Sequence, residues 1–395
     1  MSVGVLHVMR APDLVDIPSA PTNAPTPRPA RSRFNPGIHG GRGLFALMVF
    51  GFHIVNSGLA SPLPSDSWLN IHLLNALKFG VEMFFGVSGF VIVGAIARAR
   101  SARSFLWDRV TRIYPLLWVT LGVITLGSLV AHRWLPPTAQ LAANFLAPPP
   151  FLPVEMVNPA AWSLGYEMTF YTLCIACWEL RRRGQRWWLP MAVVLGTVLL
   201  VFFPRAILMP VGVAIAAGFT APRWLERLSA RPLLPLIAFL LLWRALDLWS
   251  QGDIMRMTPG DLGPAAWAAR VPFILAAALL GTAALLGIAR QRGWLGRVLL
   301  SPPLQWLGTI SYSFYLWQPV VMGPVKQGLH ASGAFALVGQ AAQPLFAVVA
   351  LPITLVIAHV SQAWIEVRLT RALRRIGPRE GDPHAPLTAT APTTP

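Results

Sequence analysis

Arg42 and His53 stand eleven residues apart in an apolar run, GGRGLFALMVFGFHIVNSG. On an α-helix eleven residues turn through about 1100°, three turns plus about 20°, so both side chains share one face, about 16 Å apart along the axis. A guanidinium at the rim of such a helix binds anions, and an imidazole near its middle can act as a general base. The same spacing also suits a boundary arginine and an unrelated core histidine. A later apolar segment carries Glu167 in WSLGYEMTFY. Counted from the inner helix ends, His53 lies at a depth of about 15 Å and Glu167 at about 20 Å. A His–carboxylate pair is therefore expected, a device that fixes an imidazole's tautomer in acyl-transfer sites. Arg109 and Arg112, in RVTRIYP, fall one turn apart as the chain enters another apolar helix. Two guanidiniums on one helix face make a clamp for phosphates.

The elements that must carry these residues are membrane helices. The chain has 395 residues and is 55% hydrophobic, only 12% are charged, and its mean hydropathy is +0.56. A soluble domain has about twice that share of charge to cover itself with. The composition excludes an ordinary cytosolic enzyme, a disordered chain and a soluble nucleic-acid binder. Ten stretches are apolar and long enough to suggest bilayer crossings: 43–60, 76–97, 113–131, 160–180, 188–203, 204–221, 233–249, 270–289, 304–325 and 344–366. An all-α polytopic membrane protein of about ten transmembrane helices is expected.

The net charge of +17 needs no nucleic acid to explain it. With the N-terminus inside, 25 of the 32 basic residues fall in cytoplasmic segments and 7 on the other side, the distribution that orients a membrane protein. Residues 1–35 and 377–395 are Pro-, Thr- and Ala-rich and are expected to be disordered cytoplasmic tails flanking one membrane domain, 36–376. Cys174 and Cys177 form a C-x-x-C inside an apolar helix and read as small apolar residues. No metal site is expected.

Other ionisable groups in apolar runs each need a partner. Glu82 is expected to pair with Lys78 at i, i+4, and Asp247 with Arg244 at i, i+3. Glu366 reads as a snorkelling end residue beside Arg368, and His359 as a satisfied interior histidine.

Taken together, five motifs resemble the acyltransferase-3 family of integral membrane acyltransferases. They are Arg42-Gly43 through His53, FFGVSGF (84–90), RVTRIYP (109–115), WSLGYEMTFY (162–171) and LGTISYSFYLWQP (307–319). The form GYEMTFY is most similar to the exopolysaccharide-modifying branch. Two positions depart from the family pattern. His39 stands where an Asp is usual, and Trp317-Gln318-Pro319 stand where x-H-x-P is usual.

The resemblance implies a membrane O-acyltransferase, moving an acetyl or other acyl group from acyl-CoA to a hydroxyl of a glycan or lipid-linked sugar. No permanently bound cofactor is implied; acetyl-CoA or another acyl-CoA is the co-substrate. Arg42, Arg109 and Arg112 would hold its phosphates. His53 would be general base or acyl acceptor, with Glu167 orienting it. Ser163, Tyr166, Ser311, Tyr312, Tyr315 and Gln318 would contact the acceptor or a developing oxyanion. The loop 132–159, with its seven prolines, would roof the acceptor side. A transporter or flippase of a lipid-linked or glycosidic substrate is the alternative; it would also place charges at mid-membrane but would not need His53.

Overall fold

A computed structural model describes residues 34–132, 135–147, 152, 154–251 and 262–376. The two expected tails lie outside these residues, except for Phe34 and Asn35 at the inner edge of the first. So do Pro148, Pro149, Pro150 and Pro153 of the expected roof. Every described regular element is helical. Helices α1 (Pro36–Val55), α2 (Gly80–Arg98), α3 (Ala102–Val130), α4 (Trp162–Arg182) and α5 (Trp188–Phe202) come first. They are followed by α6 (Leu208–Ala216), α7 (Arg223–Ser229), α8 (Leu233–Trp249), α9 (Pro264–Ala289) and α10 (Pro302–Ala331). The chain ends in α11 (Ala342–Ser361), a π-helical stretch Gln362–Leu369, and α12 (Thr370–Ile376).

Each of the ten predicted apolar segments is helical, but they are not ten equal spans. Among the described residues five continuous helical stretches are long and apolar enough to cross a bilayer. A sixth arises if α7 and α8, bent by 92° at their junction, count as one. The segment at 188–216 is two shorter apolar helices. Pro204 removes an N–H from the ladder, and a 3₁₀ turn Pro204–Ile207 takes up the break. The chain is an all-α, multi-pass membrane protein.

Local sequence explains where the key helices begin. Asn35 caps α1: its side chain accepts from Ile38 N at 3.0 Å, and Pro36 occupies the first turn. Ser101 and Ser104 close a reciprocal capping box on α3, each accepting from the other's backbone N–H. Close approach of α2 and α6 depends on glycine. A Cβ on Gly89 would stand 1.9 Å from the Met209 carbonyl oxygen, and one on Gly212 1.9 Å from that of Gly86. No larger residue fits these sites without separating the helices.

The core divides around the site. One apolar cluster joins α1, α2, α8 and α9 through Phe45, Met83, Phe239 and Leu285. A second joins α2, α3, α4 and α10 through Phe85, Leu116, Leu117 and Tyr315. The cleft described next lies among the elements of the second.

Candidate active site

Helices α1, α2, α3, α4 and α10 together line a cleft of about 790 Å³, its open mouth included. Arg42, Arg109 and Arg112 all line it, so the three predicted anion binders converge from two helices. Ser88, Glu167 and Tyr171 share its wall, and Ser163, Ser311, Tyr312 and Tyr315 complete its polar lining. Three guanidiniums face one lining carboxylate, so positive charge is in excess along the cleft. Arg109 is buried against the rings of Phe105 and Tyr171, 5.7 and 6.0 Å away. Its Nε has no hydrogen-bond partner among the described residues. A buried donor left open in this way costs free energy until something anionic accepts from it.

The structure does not join His53 to Glu167. Glu167 accepts a short hydrogen bond from Ser88 of α2 and lies in the field of Arg112, Arg42 and Arg109. Its partners are the donors nearest its own helix face; the depth count fixed height alone and not direction. His53 instead meets Gln318: Nδ1 and Oε1 are 3.2 Å apart. Gln318 is fully buried, and its Nε2 donates to the Ala46 carbonyl at 3.1 Å. That second bond fixes the amide's orientation, so Oε1 must face the ring and Nδ1–H must be the donor. A histidine held in this tautomer presents an unprotonated Nε2. Gln318 therefore holds the position beside His53 that Glu167 was expected to hold, and it is not among the residues that line the cleft. His53 does not line the cleft. Its partner Gln318 stands about one helical turn beyond the cleft-lining Tyr315 on α10, about 4.5 Å along the axis.

Tyr166 is also placed differently from expectation. It packs on Phe85 at 5.3 Å and against Trp162 and Phe203, in an aromatic cluster behind the cleft wall. Ser163 donates to the Tyr315 hydroxyl at 3.2 Å, so these two hydroxyls form one unit facing the cleft. The Tyr312 hydroxyl donates to the Ile113 carbonyl at 2.7 Å, tying α10 to the clamp helix.

Three carboxylates of the apolar segments have partners that the sequence did not suggest. Glu82 pairs with Arg205 at 2.5 Å rather than with Lys78, and Arg205 stacks on Trp162 at 4.1 Å. Lys78 goes to Asp247 at 2.7 Å, joining the predicted Arg244–Asp247 pair. Glu366 is no snorkelling end residue. It accepts from Ser313 N at 3.1 Å and from Ser313 Oγ at 2.5 Å, because the π-helical stretch shifts the register and turns it into the bundle. Arg368, its expected neighbour, lies over Trp364 at 3.8 Å. His359 is exposed rather than interior and tilts against Trp306 at 5.9 Å. One signal for the Glu82 pair was present in the sequence. Arg205 interrupts an apolar run, and a cation there needs a buried anion.

The family pattern described as an acyltransferase domain matches residues 35–360. The chain belongs to the acyltransferase-3 family. The family match takes in every cleft-lining residue named above. Among characterised members of similar sequence, the exopolysaccharide production protein ExoZ of Rhizobium meliloti (strain 1021) is 29% identical over 272 residues, covering 63% of this chain and 78% of that protein. Acyltransferase MdmB of Streptomyces mycarofaciens is 27% identical over 182 residues, 42% of this chain and 46% of MdmB. Nodulation protein 10 of Rhizobium leguminosarum bv. viciae is 28% identical over 148 residues, 32% of this chain and 40% of that protein. No solved structure matches the chain. This family member is a membrane acyltransferase, with a donor and a glycan acceptor implied by its family.

Proposed function

We propose that this acyltransferase moves an acetyl group from cytoplasmic acetyl-CoA to a sugar hydroxyl of an exopolysaccharide or related cell-surface glycan, in a bacterial inner membrane with both termini cytoplasmic. The observation that carries the reading is the cleft in which Arg42, Arg109 and Arg112 converge. Coenzyme A is a polyanion on a thin arm; its phosphates suit the guanidiniums and its arm suits a narrow cleft lined by Phe84, Phe85 and Ile113. The kinship with an exopolysaccharide production protein supports a glycan acceptor.

In the reaction, His53 Nε2 takes the proton of the acceptor hydroxyl as its oxygen attacks the thioester carbonyl. A C–O bond forms, the C–S bond breaks, and the departing thiolate takes up a proton. Gln318 keeps Nδ1 protonated and the ring in place throughout. The Tyr315 hydroxyl, which accepts from Ser163, is left with its own O–H to donate toward the oxyanion. Glu167 balances part of the arginine charge, which keeps the unliganded cleft from carrying three uncompensated cations.

The test is acetyl transfer from radiolabelled acetyl-CoA by protein purified in detergent, with and without the substitution His53→Ala. Complete loss of transfer with retained folding is expected. Transfer near the unsubstituted rate would remove His53 from the chemistry, and transport of a glycan without acetylation would favour the transporter alternative.

A further inference from the structure

The clamp helix contains a proline inside its fourth turn. Pro115 has no N–H, so the carbonyl four residues earlier, Thr111 O, loses its intrahelical donor. Thr111 lies between Arg109 and Arg112 and is buried, at 2% exposure. The missing donor comes from the far end of the chain. Thr370 Oγ1, itself buried, donates to Thr111 O at 2.9 Å. One turn further along α12, Arg374 meets Asp108 at 3.2 Å, next to Arg109. Thr370 and Arg374 run antiparallel to Thr111 and Asp108, so α12 is registered against the clamp at two points. Both residues lie beyond 35–360, the part that matches the family pattern.

We infer that Thr370 is a positioning residue of the donor site: by occupying the carbonyl that Pro115 releases, it ties α12 to the turn of α3 that carries Arg109 and Arg112 and so holds both guanidiniums on one cleft. This rests on the reading of the cleft as the acetyl-CoA site. Without that partner this turn would shift, since Thr111 O is buried and would recover solvent or helix contacts only by moving. The two guanidiniums would then lose their common target.

The experiment is steady-state acetyl transfer with acetyl-CoA varied, together with thermal unfolding, on four variants of the full chain. Thr370→Val should raise the acetyl-CoA KM about tenfold, the effect of one well-placed hydrogen bond, with kcat within about twofold. Thr370→Ser, which keeps the hydroxyl, should restore the KM. Pro115→Ala with Thr370→Val returns an N–H to Thr111 O but does not restore the tie to α12, so unfolding temperature should recover while KM stays raised. Arg374→Gln, an exposed change that does not threaten folding, should raise KM about two- to threefold. A KM that recovers with stability in the double variant, or that does not move in Thr370→Val and Arg374→Gln, would reduce Thr370 to a packing role. Absence of any saturable acetyl-CoA dependence in the unsubstituted chain would instead overturn the donor reading, and this inference with it.

Discussion

Gln318 Oε1 accepts from His53 while Gln318 Nε2 donates to a helix carbonyl, and the pairing decides what the histidine can do. An amide cannot take a proton, so it orients the ring without competing for charge. Replacing it by leucine should leave both His53 Nδ1 and the Ala46 carbonyl without this partner. Gln318→Leu is expected to lower kcat about 10- to 100-fold, the range for lost outer support of a functional histidine, with the acetyl-CoA KM nearly unchanged. Single-turnover transfer with saturating donor measures this, and a raised KM with normal kcat would return Gln318 to substrate binding. At the clamp the expected signature is the opposite. Arg109→Ala and Arg112→Ala should each weaken donor binding by about 1.5–3 kcal/mol, the range for hydrogen bonds to charged groups. The loss should appear as raised KM in the same assay. These residues were legible in the sequence because their types are rare in apolar runs. Their pairings were not: a histidine's partner 265 residues away depends on how α1 packs on α10, which no local spacing encodes.

Among the elements, α2 is the most constrained. It supplies Ser88 to the cleft, Gly86 and Gly89 to its contact with α6, and Glu82 to Arg205 in the turn before α6. Glu82 is fully buried, so removing its charge leaves a buried guanidinium without its counter-charge, a loss of about 3–5 kcal/mol. Glu167 is half-buried and keeps a hydrogen bond to Ser88 as an amide. Thermal unfolding in detergent should therefore fall much further for Glu82→Gln than for Glu167→Gln, and equal unfolding temperatures would show that the Glu82–Arg205 pair is not holding these elements together. Helix positions were readable from apolar length. The π-helical stretch at 362–369 was not readable, because its sequence fits an ordinary α-helix. That is why Glu366 looked like an end residue.

At the scale of the molecule, the connections gather at two ends. At one end Glu226 bonds Arg290 and Arg292, Asn35 Nδ2 donates to the Ala289 carbonyl, and Gln305 donates to the Pro36 carbonyl. At the other, Lys326 donates to the Ser57 carbonyl, Gln343 N to the Ala60 carbonyl, and Arg244 to the Ile71 carbonyl. The first group comes from segments assigned to the cytoplasm by their arginines and the second from segments assigned to the opposite side. The grouping is thus consistent with the charge count, while which end faces the cytoplasm follows from charge alone. Labelling with a membrane-impermeant thiol reagent on intact cells separates the two orientations. Cys174 and Cys177 are both free thiols and would be replaced by alanine to clear the background. In that background Ala139→Cys sits on the exposed face of the short helix Thr138–Asn144, and Gln185→Cys on the exposed turn after α4. The cysteine at 139 should label in intact cells, and the one at 185 only once the inner membrane is opened. The reverse pattern would invert the molecule, place Arg42, Arg109 and Arg112 on the outer side, and leave them out of reach of cytoplasmic acetyl-CoA. Because every donor-side residue shares one end of the bundle, this one measurement constrains all three together.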